Sequence, residues 1–178
     1  MHRCIELFLN GVYDEDHVAE MDQFIDFLDS EIRPRGWVPF RTEWSIFSEA
    51  WMVAGQIDSL WIDPATGALH MMDWKRCRAD LDPADGARFQ RFGKPPADTF
   101  VDNAFSHYAV QQNLYSAILE RHYGMHLESM WLVQLHAERS TYAMIEVPSF
   151  PGIANQMLSD TSRALIDPMG GGFTEWEV

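Results

Sequence analysis

Cysteine is nearly absent. Cys4 and Cys77 are the only two in 178 residues, too few for a disulfide-dense scaffold or a four-cysteine iron–sulfur site, and they make no zinc motif. A reducing, intracellular setting is the expectation. Long apolar runs are missing as well. None approaches the ~20 residues a spanning helix needs, so no membrane partner is expected, and no apolar leader opens the sequence as given. Positive charge is scarce: Lys and Arg number 13 against 27 Asp and Glu, for a net charge of -14. A body that acidic argues against non-specific coating of nucleic acid. Repeats and low-complexity tracts are absent too. The length predicts one domain over 1–178, with a core over about 1–166 and a loose tail over 167–178 that holds Gly170, Gly171 and Gly172.

The scarce positive charge is unevenly placed. Lys75, Arg76, Arg78, Arg88, Arg91 and Lys94 crowd one segment, beside Asp80, Asp82 and Asp85. A local basic patch on an acidic body and a merely solvated loop are both compatible with this.

Periodicity supplies the elements. Ile5 to Leu9 reads as a helix end closed by Asn10-Gly11. Asp14 or Asp16 is placed to cap a second helix carrying Val18, Met21, Phe24, Ile25 and Leu28, stopped at Arg33-Pro34-Arg35-Gly36. Trp37 to Phe47 is β-prone. Val53 to Ile62 and Ala68 to Lys75 form a hairpin around Asp63-Pro64-Ala65-Thr66-Gly67. Residues 79–102 read as a long loop, and Phe105 to Tyr123 as a helix with Gly124 as its C-cap. Met130 to His136 and Tyr142 to Val147 follow as strands, and Ile153 to Leu165 as a helix.

A symmetric hairpin loop pairs residues whose numbers sum to 131, which sets Asp58 opposite Asp73. Alternation then puts Gln56, Asp58, Leu60 and Ile62 on one face with Leu69, Met71, Asp73 and Lys75. The other face receives Ile57, Trp61, Met72 and Trp74. Both faces are apolar over most of their length, so the hairpin is expected at the centre of a sheet with helices on each side. Opposed carboxylates destabilise a strand pair unless a cation sits with them. Lys75 is one such cation, and a divalent metal held by hard oxygen ligands is another. An Asp–Asp–Lys surface cluster and a metal site both remain open at this point. Gln111 and Tyr115, at i and i+4 on the helix face that also holds Tyr108, form a second polar pair on an otherwise core-facing surface.

Taken in order, Gly55-Gln56-Ile57-Asp58, Asp73-Trp74-Lys75 and Gln111-Gln112-Asn113-Leu114-Tyr115 resemble the RecB-like branch of the PD-(D/E)XK nucleases. The look is closest to its exonuclease-like members, of the mitochondrial genome-maintenance type. Their pattern runs G-x-x-D, D/E-x-K, Q-x-x-x-Y, and the opening stretch with His2 and Glu6 is similar to the family's first motif. The likeness extends from residue 1 to about 148. It implies an α/β, restriction-endonuclease-like core: a central mixed β-sheet flanked by α-helices. It further implies that His2, Asp58, Asp73 and the main-chain carbonyl of Trp74 bind Mg2+ or Mn2+. Lys75 would orient water or stabilise the phosphate, and Gln111 and Tyr115 would brace the site. Glu43, in Arg41-Thr42-Glu43-Trp44, resembles a supporting acidic residue found before G-x-x-D. The implied partner is nucleic acid, most simply DNA with single-stranded ends, met by Arg76, Arg78, Arg88, Arg91 and Lys94. A restriction-like endonuclease and a non-cleaving module binding nucleic acid or a partner protein are the alternatives, and the oligomeric state is left open.

Overall fold

The β-prone runs pair in chain order. Strands β1 (Val38–Ser48), β2 (Val53–Ile62) and β3 (Leu69–Lys75) form an antiparallel meander. The structure, a computed structural model, describes residues 1–12, 18–86 and 91–166. From β3 the chain crosses over through helix α4 (Ala104–Ile118) and returns as β4 (Leu127–Gln134), parallel to β3. Parallel neighbours require such a crossover. Strand β5 (Ala143–Glu146) then pairs antiparallel with β4. The result is the expected α/β architecture: a mixed sheet in the order β1-β2-β3-β4-β5, flanked by helices on both faces.

Central β3 is buried from Leu69 through Trp74, and only Lys75 at its end is partly exposed. One face of the sheet packs Ile46, Leu60, Met71 and Leu132 against Ala109 and Ile118 of α4 and against Ala154 and Leu158 of α5 (Pro151–Ile166). The other packs Trp61, Met72, Trp74 and Val133 against Ile5 of α1 (His2–Leu9) and Phe24 and Phe27 of α2 (Glu20–Phe27). The Trp74 indole meets Phe24 and Phe27 edge-on at 5.4 and 5.8 Å, a geometry that aromatic quadrupoles favour.

Helix ends follow their sequence signals. Helix α2 continues through a π turn, Leu28–Ile32, and the short α3 (Arg33–Arg35) to Gly36, whose φ of 72° is left-handed. Asn103 caps α4, accepting from Ser106 N at 2.8 Å. Its amide also donates to the carbonyls of Pro83 and Asp85 at 3.0 and 2.8 Å, tying the long loop to the helix start. Among the described residues that loop holds an isolated bridge, Phe92 to Val101. The expected cap at Asp14 or Asp16 and the glycine tail lie outside the described residues. Among the described residues no helix is long and apolar enough to cross a membrane.

The expected face assignment fails at one residue. Ile57 packs in the same core as Leu60, three positions away, and not with Trp61. Alternation breaks between them. Across from this step, between the pairs Thr42–Ser59 and Trp44–Ile57, Glu43 has a left-handed φ of 45°. A left-handed residue turns the pleat, and a strict period of two cannot pass through it.

Candidate metal centre

The site lies at the open end of the β2–β3 hairpin. The pairs Ser59–Met72 and Leu60–Met71 carry the expected register, with Asp58 and Asp73 next in line. Asp58 reaches across: its Oδ2 accepts the main-chain N–H of Trp74 at 2.8 Å. Helix α1 lies over this end because Cys4 and Ile5 are buried in the core beneath it. Asn10 then fastens the far end of the helix to Thr42 Oγ1 at 2.9 Å. His2, in the first turn, thereby brings Nδ1 within 3.5 Å of Asp58 Oδ2 and 3.8 Å of Glu43 Oε1. Gln56 Nε2 donates to the other Glu43 oxygen at 2.6 Å.

His2, Glu43 and Asp58 each present one ligand atom, all within 4.8 Å of one another. Two carboxylate oxygens and an imidazole form a donor set for a small divalent cation. The electrostatics point the same way. Burial, then the charge of Asp58, push the Asp73 carboxyl up to about 6 against the pull of Lys75. Burial and Asp58 also raise the Glu43 carboxyl. The hydrogen bond with Asp58 raises the His2 imidazole, against its partial burial. Asp73 Oδ2 is buried, with Lys75 Nζ 2.5 Å away as its ion-pair partner. An excess of negative charge over the cations at hand, with two buried or half-buried carboxyls raised, is a condition that a bound cation relieves. The residues present fit such an ion.

Behind the carboxylates the motifs interlock. Lys75 Nζ has a long contact of 3.5 Å with Gln111 Oε1, and Gln111 Nε2 donates to the Tyr115 hydroxyl at 2.9 Å. The Tyr115 ring occupies the volume a side chain at Gly55 would need. A Cβ there would sit 2.2 Å from Tyr115 Cε1, closer than carbon atoms can approach. Glycine at the head of G-x-x-D and tyrosine at the end of Q-x-x-x-Y are two halves of one contact.

The structure therefore brings Asp58, Asp73, Lys75, Gln111 and Tyr115 together, with His2 and Glu43 on the Asp58 side. Glu43, a supporting residue by sequence, belongs to the three-ligand cluster, whereas Asp73 is joined most closely to Lys75. Trp74 meets the site through its N–H, and its indole is buried in the opposite core. The basic segment is distributed differently. Arg76 Nε binds Glu20 Oε1 at 2.5 Å, and Arg78 binds Glu138 at 3.1 Å. Arg91 and Lys94 are exposed without an ion pair among the described residues, and Arg88 lies outside them. Two contributors escaped sequence reasoning. Gln56 is placed on the Asp58 face but given no role, and Tyr108 reads as a core aromatic although it shares the helix face of Gln111; its ring lies 4.1 Å from Lys75 Nζ.

No protein-family model and no curated protein matches the chain. Among solved structures, that of SSO0001 is similar over 82% of this chain and 57% of its own at 15% identity, with a TM-score of 0.41, too distant to bear on the fold. A candidate exonuclease from Eubacterium rectale is similar over 93% of this chain, with a TM-score of 0.55 and 11% identity. The chain spans 64% of that protein's length. At that identity the likeness is one of architecture: the chain has the α/β fold of this candidate exonuclease.

Proposed function

We propose that the protein is a divalent-metal-dependent nuclease of the PD-(D/E)XK type, RecB-like branch, which hydrolyses phosphodiester bonds at single-stranded DNA ends as an exonuclease or flap-type enzyme. The observation that carries this reading is the pairing of a buried carboxylate, Asp73, raised by burial and by Asp58, with Lys75 on the strand end that faces Asp58. A surface salt bridge has no need of that burial. The fold likeness to a candidate exonuclease supports the same reading.

In this reading His2, Glu43, Asp58 and Asp73 hold Mg2+ or Mn2+, with the Trp74 carbonyl as a further ligand. When bound, the ion neutralises phosphate charge and lowers the pKa of water. The chain's own residues do the rest. Lys75 presents an ammonium to the oxygens on which charge accumulates as the phosphorus is attacked. Gln111 accepts from Lys75 and is itself fixed by Tyr115, so the ammonium needs little rearrangement. Asp58, anchored by the Trp74 N–H, keeps the carboxylates in register. Arg91 and Lys94 supply phosphate contacts outside the centre.

Labelled single- and double-stranded DNA and RNA, incubated with Mg2+, Mn2+, Ca2+ or EDTA, test the proposal. Cutting is expected with the first two ions and little with Ca2+, whose looser coordination positions ligands poorly. Lys75→Ala should lower cleavage by about a hundred-fold or more while metal binding persists. Asp73→Asn should lose metal affinity and activity together. Undiminished cutting in excess EDTA, or a Lys75→Ala protein with near wild-type rates, refutes it.

A further inference from the structure

We infer that the Tyr108 ring is a positioning residue for Lys75, holding its ammonium in place through the ring face. The consequence for cleavage rests on the nuclease reading; the contact does not. Lys75 Nζ lies 4.1 Å from the Tyr108 ring centroid, and its side chain is 15% exposed. The ammonium is thus enclosed on three sides, by Asp73 Oδ2 at 2.5 Å, Gln111 Oε1 at 3.5 Å and the ring. Tyr108, Gln111 and Tyr115 follow one another at intervals of three and four along α4, so one helix face delivers all three groups. The Asn103 cap fixes where that face begins.

Each wall does something different. Asp73 holds Lys75 by charge, but that hold weakens whenever a second cation draws on the same carboxylate. The contact to Gln111 is long. A ring face attracts an ammonium by its quadrupole, excludes water on its side, and accepts no proton. It therefore retains Lys75 in place without binding a proton, and the N–H now on the long Gln111 contact can turn to an incoming phosphate. A lysine on a flexible four-carbon stem has many competing rotamers, and Tyr108 removes those that swing away from the site. The Tyr108 hydroxyl makes no hydrogen bond among the described residues, so the ring alone carries the role.

Lys75 and Lys94 are the only lysines in the chain, which makes the contact directly observable. Isotope-labelled lysine gives two side-chain signals, with exposed Lys94 as the internal reference. In the wild type and in Tyr108→Phe the Lys75 ε-methylene should be shifted upfield by the ring. In Tyr108→Leu it should move to the Lys94 position. With single-stranded DNA and Mg2+, Tyr108→Phe should keep the wild-type kcat. Tyr108→Leu should lose about thirty-fold in kcat with KM nearly unchanged. Tyr108→Met, which refills the space without a ring, replaces the leucine variant should that one not fold. A Lys75 signal that does not respond to loss of the ring, a ringless variant with wild-type kcat, or a phenylalanine variant as slow as the leucine one overturns the inference. A wild type that cuts no nucleic acid overturns the nuclease reading and the catalytic consequence with it, while the Lys75 signal still decides whether the ring holds the ammonium.

Discussion

Lys75 and Arg76 are neighbours in sequence but belong to two regions that treat charge in opposite ways. At the open end of the hairpin, carboxylates outnumber cations, and Asp73 and Glu43 are held above their ordinary range by burial and by Asp58. One residue further on, the arginines are matched by acids from distant parts of the chain. Arg76 binds Glu20, which is 2% exposed, and Arg139 binds Asp80 at 2.7 Å. Burial pushes the Glu20 carboxyl up, but Arg76 and main-chain N–H groups outweigh it and hold the group below its usual range. The second region is electrostatically closed and serves to anchor the loop to α2. The first is open, with more negative charge than its own residues neutralise. A count of charges along the sequence does not separate these regions, because the difference lies in the partners.

The contrast breaks most severely at Gly55. Gly55→Ala places a methyl within the Tyr115 ring, so the chain must move or Tyr115 must leave its hydrogen bond with Gln111. A loss of about 3 kcal/mol is expected from overpacking of this kind, measured by urea unfolding, together with loss of metal-dependent activity. Tyr115→Ala in the same chain should recover part of the stability, the signature of direct coupling. A cost below about 0.5 kcal/mol for Gly55→Ala would mean that the two motifs do not lock.

A second, comparable effect separates the open region from the closed one by pH. The Asp73 carboxyl is raised in the folded protein, from 3.8 to about 6. Its contribution is therefore fully present below about pH 4 and is lost as pH rises through 6. The gap corresponds to roughly 3 kcal/mol. In EDTA, the stability of the wild type relative to Asp73→Asn should fall across pH 4 to 6.5. Mg2+ should restore it at pH 7 in the wild type alone. A constant difference across that range would contradict the placement of Asp73.

The smallest effect belongs to the exposed cations. Changing Arg91 and Lys94 to Ala should reduce the salt slope of single-strand binding by about 0.7 for each, whereas Arg76→Ala should leave the slope unchanged and lower stability by uncovering Glu20. A reduced slope for Arg76→Ala would place that arginine on the nucleic acid rather than on α2.

Much of this is legible in the sequence. The hairpin register follows from a five-residue loop with glycine at its end, and that register leaves Asp58 and Asp73 next in line beyond the Ser59–Met72 pair. The mixed sheet is expected from the family resemblance, and the helix between β3 and β4 is the parallel crossover that makes the sheet mixed. What stayed hidden was non-local or conformational. Glu20 is 56 positions from Arg76, and no local pattern ties them together. The displacement of Ile57 lies across from a left-handed residue, Glu43, of a type with no preference for that angle. Tyr108 was assigned to the right helix face, but an aromatic residue facing a sheet is ordinarily core, and only the position of Nζ marks it as more.

The left-handed backbone at Glu43 sets endurance against capability. An L-residue with a Cβ in that conformation costs about 1 kcal/mol relative to glycine, yet glycine would remove one of the three clustered ligand atoms. Glutamate is thus the less comfortable residue for the strand and the necessary one for the cluster. A population of variants ranked for survival at high temperature would favour glycine at this position. The same population ranked for divalent-cation binding would discard it.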